Sequence, residues 1–276
     1  MRRPAPHVGA MDEDLQRLGL IDEEDIALDE AALTLARLDH GDVDLEPYFD
    51  MLDAIETRLD IIGADADTAL ERADALAAVL GEEFGFVGDQ SSYDDPANAD
   101  LIAVLDRRRG LPVSLSILWV AMARRLGWSA DVLDVPGHVL VLLGAEAAPV
   151  IVDPFAGGAR VDAERLAALV MAHVGERKPV THVSAMPNRA ILIRLLQNQA
   201  SRAEQAGKGR RALALYARMT VVAPTYPHVW WDRARLQLVD ADVAAARGSL
   251  GAVLEITRDA AWRRRVTEAL EKLPTE

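Results

Sequence analysis

The segment Leu111–Leu126 constrains the fold more than any other, because Val113, Leu115, Ile117, Leu118, Trp119, Val120 and Met122 leave it no polar face. A helix that is apolar all round must be covered on every side, so the segment predicts a central buried helix with a domain built around it. Pro112 suits the first turn, where no backbone N–H is needed, while Arg124, Arg125 and Gly127 supply dipole-compatible cations and a stop. Three short aliphatic or β-branched runs follow: Asp131–Val135, His138–Leu143 and Val150–Asp153. Separated by Pro136-Gly137 and by Gly144–Pro149, they read as strands of a small antiparallel sheet, which gives an α+β domain.

The last two runs carry a geometric consequence. If their turn is Gly144–Ala147, Leu143 faces Ala148 and His138 lies directly opposite Asp153. An imidazole beside a carboxylate is the orienting half of an acid–base unit, since the carboxylate fixes the tautomer and stabilises the imidazolium. The same pair is also an ordinary tie at a sheet end, and spacing leaves both readings open.

The chain has 276 residues, half of them hydrophobic, which is enough for one large domain or two small ones. Residues 1–20 are polar and aperiodic apart from Leu15, Leu18 and Leu20, and predict a mobile acidic arm. Asp29 is a candidate N-cap for a helix carrying Leu33, Leu35 and Leu38 that Gly41 stops. Further helices are expected over Leu45–Leu59, Asp67–Leu80 and Asp100–Arg108, with a loop of turn-forming residues at Asp89–Asn98.

Cysteine is absent, which excludes disulfides, thiolate metal sites and every thiol nucleophile. The net charge of −14 is uneven, with 27 acidic and 6 basic residues in 1–100 against 17 and 24 in 101–276. An acidic front half repels phosphate backbones, so a nucleic-acid role is not expected. No apolar segment has signal-peptide or membrane-spanning character, and the reading is of a cytoplasmic protein with no membrane partner.

Four stretches together resemble the SirB-type branch of the transglutaminase-like superfamily: Tyr93–Asn98, Val104–Ser116, Pro136-Gly137-His138 and Ile151–Phe155. The resemblance covers about residues 25–165 and implies a papain-like core in which a helix bearing the nucleophile packs on a sheet that supplies His and Asp. Those positions fall on His138 and Asp153. The nucleophile position, about fifteen residues before the helix-ending Gly127, falls on Pro112, which has no nucleophilic atom. Thiol chemistry is therefore unavailable, and such relatives bring no catalytic activity with them. At about 100° per residue Ser114 points away from the face of residue 112, whereas Ser116 returns to within about 40° of it. Ser116 is thus the better-placed hydroxyl for a serine mechanism with His138 and Asp153, but it sits one turn deeper on an apolar helix. It is expected to bond the Pro112 carbonyl and not to reach His138.

From Met186 onward the pattern changes. Ala212, Tyr216 and Pro224 have the spacing of a tetratricopeptide repeat, and a period of 34 places Ala246 on Ala212 and Leu250 on Tyr216, with Arg258 in place of the proline. Helices are expected at Pro187–Ala206, Gly209–Val222, Pro227–Val239, Asp242–Thr257 and Asp259–Leu273. The organisation read from the chain is an arm at 1–20, a transglutaminase-like domain at 21–185 and a helical-repeat tail at 186–276.

Other features favour structural roles. Asp94 and Asp95 have turn and cap chemistry, Arg107–Arg109 a dipole-complementing or salt-bridged cluster, and Arg263–Arg265 a solvated helix face. His173, His182 and His228 have no ligand spacing, and no metal or cofactor is expected. The function expected is a non-catalytic binding module for a protein or peptide partner, engaged through the tail or the cleft at His138. The alternative is a serine-dependent acyl hydrolase or acyl transferase using Ser116, His138 and Asp153.

Overall fold

The computed structural model describes residues 8–144, 148–173 and 183–274. They fall into two compact units, one of residues 23–191 and one of residues 8–22 with 192–274. The units part within a helix at 191/192 rather than at the expected 185/186. The arm expected at 1–20 is corrected over its described part. Val8–Leu20 is a helix, α1, that buries Leu15 and Leu18 and contacts helix α9 (Gly209–Val222) of the same unit. Leucines at i and i+3 are one face of a helix, and that short stripe is what orders the segment.

In the first unit, α2 (Leu28–His40) ends at Gly41, whose φ of +61° makes a residue without Cβ the natural stop. Asp29 is not its cap. It lies inside the first turn, buried, and pairs at 2.8 Å with Arg125. Burial pulls the Arg125 charge down, yet bonds from Glu56 and Asp29 outweigh it and hold the guanidinium above its ordinary value. Helix α3 (Glu46–Ile62) carries Pro47 in its first turn. Helix α4 (Ala69–Leu76) opens on a reciprocal Thr68/Glu71 capping box and continues as a π-helical turn, Ala77–Glu83. Helix α5 (Leu101–Arg107) is capped by Asp100, and strands β1 (Val87–Gly88) and β2 (Arg109–Gly110) pair in parallel.

Helix α6 (Pro112–Arg125) is the expected central element, with every residue from Pro112 to Ala123 buried. Removing side chains such as Trp119, Leu115 and Ile117 from water stabilises the unit by roughly 1.5–3 kcal/mol each. Helix α6 packs on a five-stranded antiparallel sheet of order β6-β5-β4-β3-β7. Strands β3 (Ala130–Val135), β4 (His138–Leu143) and β5 (Val150–Asp153) match expectation, while β6 (Ala159–Arg160) and β7 (Ser184–Ala185) are too short to show a period. Helix α7 (Ala163–His173) follows β6.

The β4–β5 register differs from the one expected. Leu143 pairs with Val150 and Val141 with Val152, a shift of two residues that lengthens the connection, of which 145–147 lie outside the described residues. Extending this register makes His138 and Asp153 diagonal neighbours rather than direct opposites. A shift of two preserves the face of every side chain, so both still project to the same side.

The second unit continues from α8 (Asn188–Gln205) through α9 to α10 (Pro227–Val239), α11 (Val243–Ile256) and α12 (Ala260–Glu271). Consecutive helices from α9 to α12 pack on one another. Ala212, Tyr216, Ala246 and Leu250 are all buried, so both positions marked by the 34-residue period face a core. Among the described residues no helix is long and apolar enough to cross a membrane.

Candidate functional site

His138 opens β4 and Asp153 closes β5, which places an imidazole and a carboxylate at one end of the sheet. Asp153 Oδ2 lies 2.9 Å from His138 Nε2. A carboxylate can only accept, so Nε2 carries the hydrogen and the carboxylate fixes the tautomer. The second oxygen, Oδ1, accepts the Phe155 N–H at 3.0 Å and caps the short turn Pro154–Ala156. With Asp153 only 4% exposed and both oxygens occupied, the carboxylate is held in one orientation.

The turn after Asp153 is built by close approach. Gly158 adopts φ +88° and its N–H returns to the Asp153 carbonyl at 2.9 Å, while a Cβ there would run into the Trp119 ring and into Ala77 of the π-helical turn. Phe155 is set so that its ring lies over Gly88, where any side chain would enter the ring. That ring meets His138 edge-on at 6.3 Å and Tyr93 edge-on at 5.9 Å, making a row of three rings. Phe155 stands inside the motif quoted above, yet nothing in its spacing marked it as the residue that both orients Asp153 and walls His138.

The head of α6 has no nucleophilic atom at the position the resemblance marks. Pro112 is the first helical residue and is buried. The Ser114 hydroxyl donates to the Asn98 carbonyl at 2.6 Å. Ser116 is fully buried and its hydroxyl has no hydrogen-bond partner, so the expected bond to the Pro112 carbonyl does not form. Ser114, dismissed by its angle, is the serine with a positional role.

Its acceptor belongs to Asn98, the hub of a polar network inside the loop of turn-forming residues. Asn98 is fully buried, donates from Nδ2 to the Ser92 carbonyl at 2.6 Å, and accepts from Arg107 at 3.2 Å. Arg107 in turn reaches Asp89 at 2.9 Å, and Asp89 accepts the backbone N–H groups of Ser91 and Ser92. The Ser92 amide above all, with Ser91 and Arg107 beside it, holds the Asp89 carboxyl below its ordinary value against the opposing effect of burial. Asp95 caps the turn Pro96–Ala99 through Ala97 N–H, as its place before proline indicates. Arg108, at φ +56°, stacks on Phe84 and Phe86 and donates to the Phe84 carbonyl. Among the described residues no three His, Asp or Glu side chains gather as a metal centre would require; His182 lies outside them.

In the helical unit, Arg263–Arg265 are not simply a solvated face. Arg263 donates to the Leu254 carbonyl at 2.6 Å, and the Arg265 guanidinium stacks 4.0 Å from the Trp231 ring centre. Trp262 is one turn from Arg265 in sequence, but Trp231 reaches it from another helix, which the run of arginines alone does not show.

Residues 46–197 match the family model described as transglutaminase-like superfamily. A UPF0162 protein of Xylella fastidiosa strain 9a5c is 31% identical over 247 residues, covering 87% of each chain. One of strain Temecula1 is 32% identical over 231 residues, covering 80% of this chain and 81% of the relative. Among solved structures, a crystal structure of menin superimposes with a TM-score of 0.44 at 14% identity, over 97% of this chain and 76% of that one.

Proposed function

We propose, from the premise that this chain belongs to the transglutaminase-like superfamily and to the UPF0162 proteins, that it is a non-catalytic, SirB-type member acting as a protein or peptide binding module with a regulatory role. The observation that carries this reading is Pro112 at the head of α6, where covalent chemistry would need a nucleophile. In this reading the His138–Asp153 pair serves to tie β4 to the turn after β5. Ser114 is committed to Asn98, and Ser116 is closed off from solvent. The helical tail supports the binding role. Its buried Ala212/Tyr216 and Ala246/Leu250 pairs fit tetratricopeptide-like hairpins, an architecture that stacks to display an extended binding surface.

The test is affinity recovery with the intact chain as bait, followed by crosslinking. The reading expects the same partner in repeated experiments, crosslinked to the tail or to the rim at His138. Recovery of no specific partner, together with turnover of ester or amide substrates that depends on Ser116, His138 and Asp153, would replace it with the serine-dependent acyl hydrolase or transferase.

A further inference from the structure

Three of the chain's five tryptophans, Trp230, Trp231 and Trp262, gather around one apolar cluster of the helical unit, Ala234, Leu250, Val253 and Val266. All three remain partly exposed. Trp231 of α10 and Trp262 of α12 meet edge-on at 6.2 Å, and Arg265 lies against both, 4.0 and 5.3 Å from their ring centres. A guanidinium spread on two indoles is pre-organised, so it has little side-chain freedom left to lose when a partner engages its edge.

The charge beside this stack leans positive: Asp232, next to Trp231, acts on Arg265, and Glu268 and Glu271 lie further along α12, but the start of that helix is rich in cations. The stretch 258–265 holds four arginines and one acid, Asp259, whose carboxylate is spent capping Trp262 N–H. Arg263 is occupied by carbonyls at the end of α11. Arg258 and Arg264 are exposed, and among the described residues neither has a carboxylate within ion-pair reach. Half-exposed Trp beside Arg is the composition of interface anchors, here with cations left over.

We infer that the Trp231–Trp262–Arg265 face of α10 and α12, with Arg258 and Arg264 beside it, docks an acidic segment of a partner protein. Charge complementarity selects this occupant. The chain as a whole carries −14 and repels a long polyanion such as nucleic acid, whereas a short acidic stretch on a protein meets the local positive field. The inference rests on the binding-module reading and gives it a surface and a partner chemistry.

The experiment titrates the intact protein with a labelled Glu/Asp-rich peptide at physiological ionic strength, following tryptophan emission and peptide anisotropy. The expected result is saturable binding with altered tryptophan emission, no binding of the matching Gln/Asn peptide, and a loss of about tenfold or more in the exposed double variant Arg258→Glu/Arg264→Glu at unchanged melting temperature. No binding of the acidic peptide overturns the inference, as does equal binding by the charge-reversed variant. A single-stranded RNA oligonucleotide that binds as tightly as the peptide also overturns it. Any of these failures leaves the binding-module reading standing, because that reading falls with the recovery of no specific partner together with turnover that depends on Ser116, His138 and Asp153.

Discussion

The two units hold their polar groups in different ways. Around α6 the partners come from far along the chain: Arg125 reaches Asp29 across 96 residues, Ser114 reaches Asn98 across 16, and His138 reaches Asp153 across a sheet connection. In the helical unit the ties join nearby helices, as Arg235 of α10 does with Glu204 of α8 across 31 residues. Tyr216 donates to Glu204 and Ser249 to Gln237, each 12 residues away and one helix back. The first arrangement makes a site whose geometry exists only when the whole unit is assembled, while the second makes a surface repeated hairpin by hairpin. A single substitution should therefore cost more around α6 than in the helical unit.

The largest effect expected is from Gly158→Ala. The left-handed backbone and the collision with Trp119 and Ala77 together should cost about 3 kcal/mol or more, read as a loss in chemical denaturation of the first unit. A near-neutral result would show that the turn after Asp153 is not held by the close approach described. Next comes Asn98→Ala, which removes both hydrogen bonds of a fully buried side chain, the one donated to the Ser92 carbonyl and the one accepted from Arg107. It should cost roughly 2–3 kcal/mol, against about 1 kcal/mol for Ser249→Ala in the helical unit. Equal losses from the two would erase the contrast between the units.

Asp153→Asn should lower stability by on the order of 1–3 kcal/mol through loss of a charge-assisted bond, with no change in any turnover measured on the same sample. The smallest effect is at Tyr216→Phe, about 1 kcal/mol, because the hydroxyl that burial and Glu204 push above its ordinary pKa exchanges only local bonds. Its neighbour Glu204 is held below its ordinary value, first by Arg235. A depressed carboxyl contributes stability that is present above its unfolded pKa and lost as pH falls through the folded one. Glu204→Gln should accordingly flatten the acid limb of a melting-temperature profile below about pH 4.

Most elements were legible because each declares itself locally. Leu111–Leu126 lacks a polar face, Gly127 stops it, and the tail helices begin and end within two residues of where period, proline and glycine put them. The His138–Asp153 pair was legible because side-chain faces survive a two-residue register shift, although the register itself was not. What stayed hidden depends on the third dimension. The role of Asn98 comes from burial against α6, that of Phe155 from a ring resting on Gly88, and the order of α1 from leucines with a distant helix to cover them. Ser116 was misjudged for the same reason. A helix serine can bond back to the carbonyl four residues earlier, but this one does not.

The central claim is that α6 presents no working nucleophile to His138, and covalent labelling of the intact protein with a fluorophosphonate probe, read by mass spectrometry, tests it most directly. No adduct on Ser114 or Ser116 is expected, with Ser116→Ala indistinguishable from the wild type. An adduct on Ser116 that disappears in both Ser116→Ala and His138→Ala would contradict it.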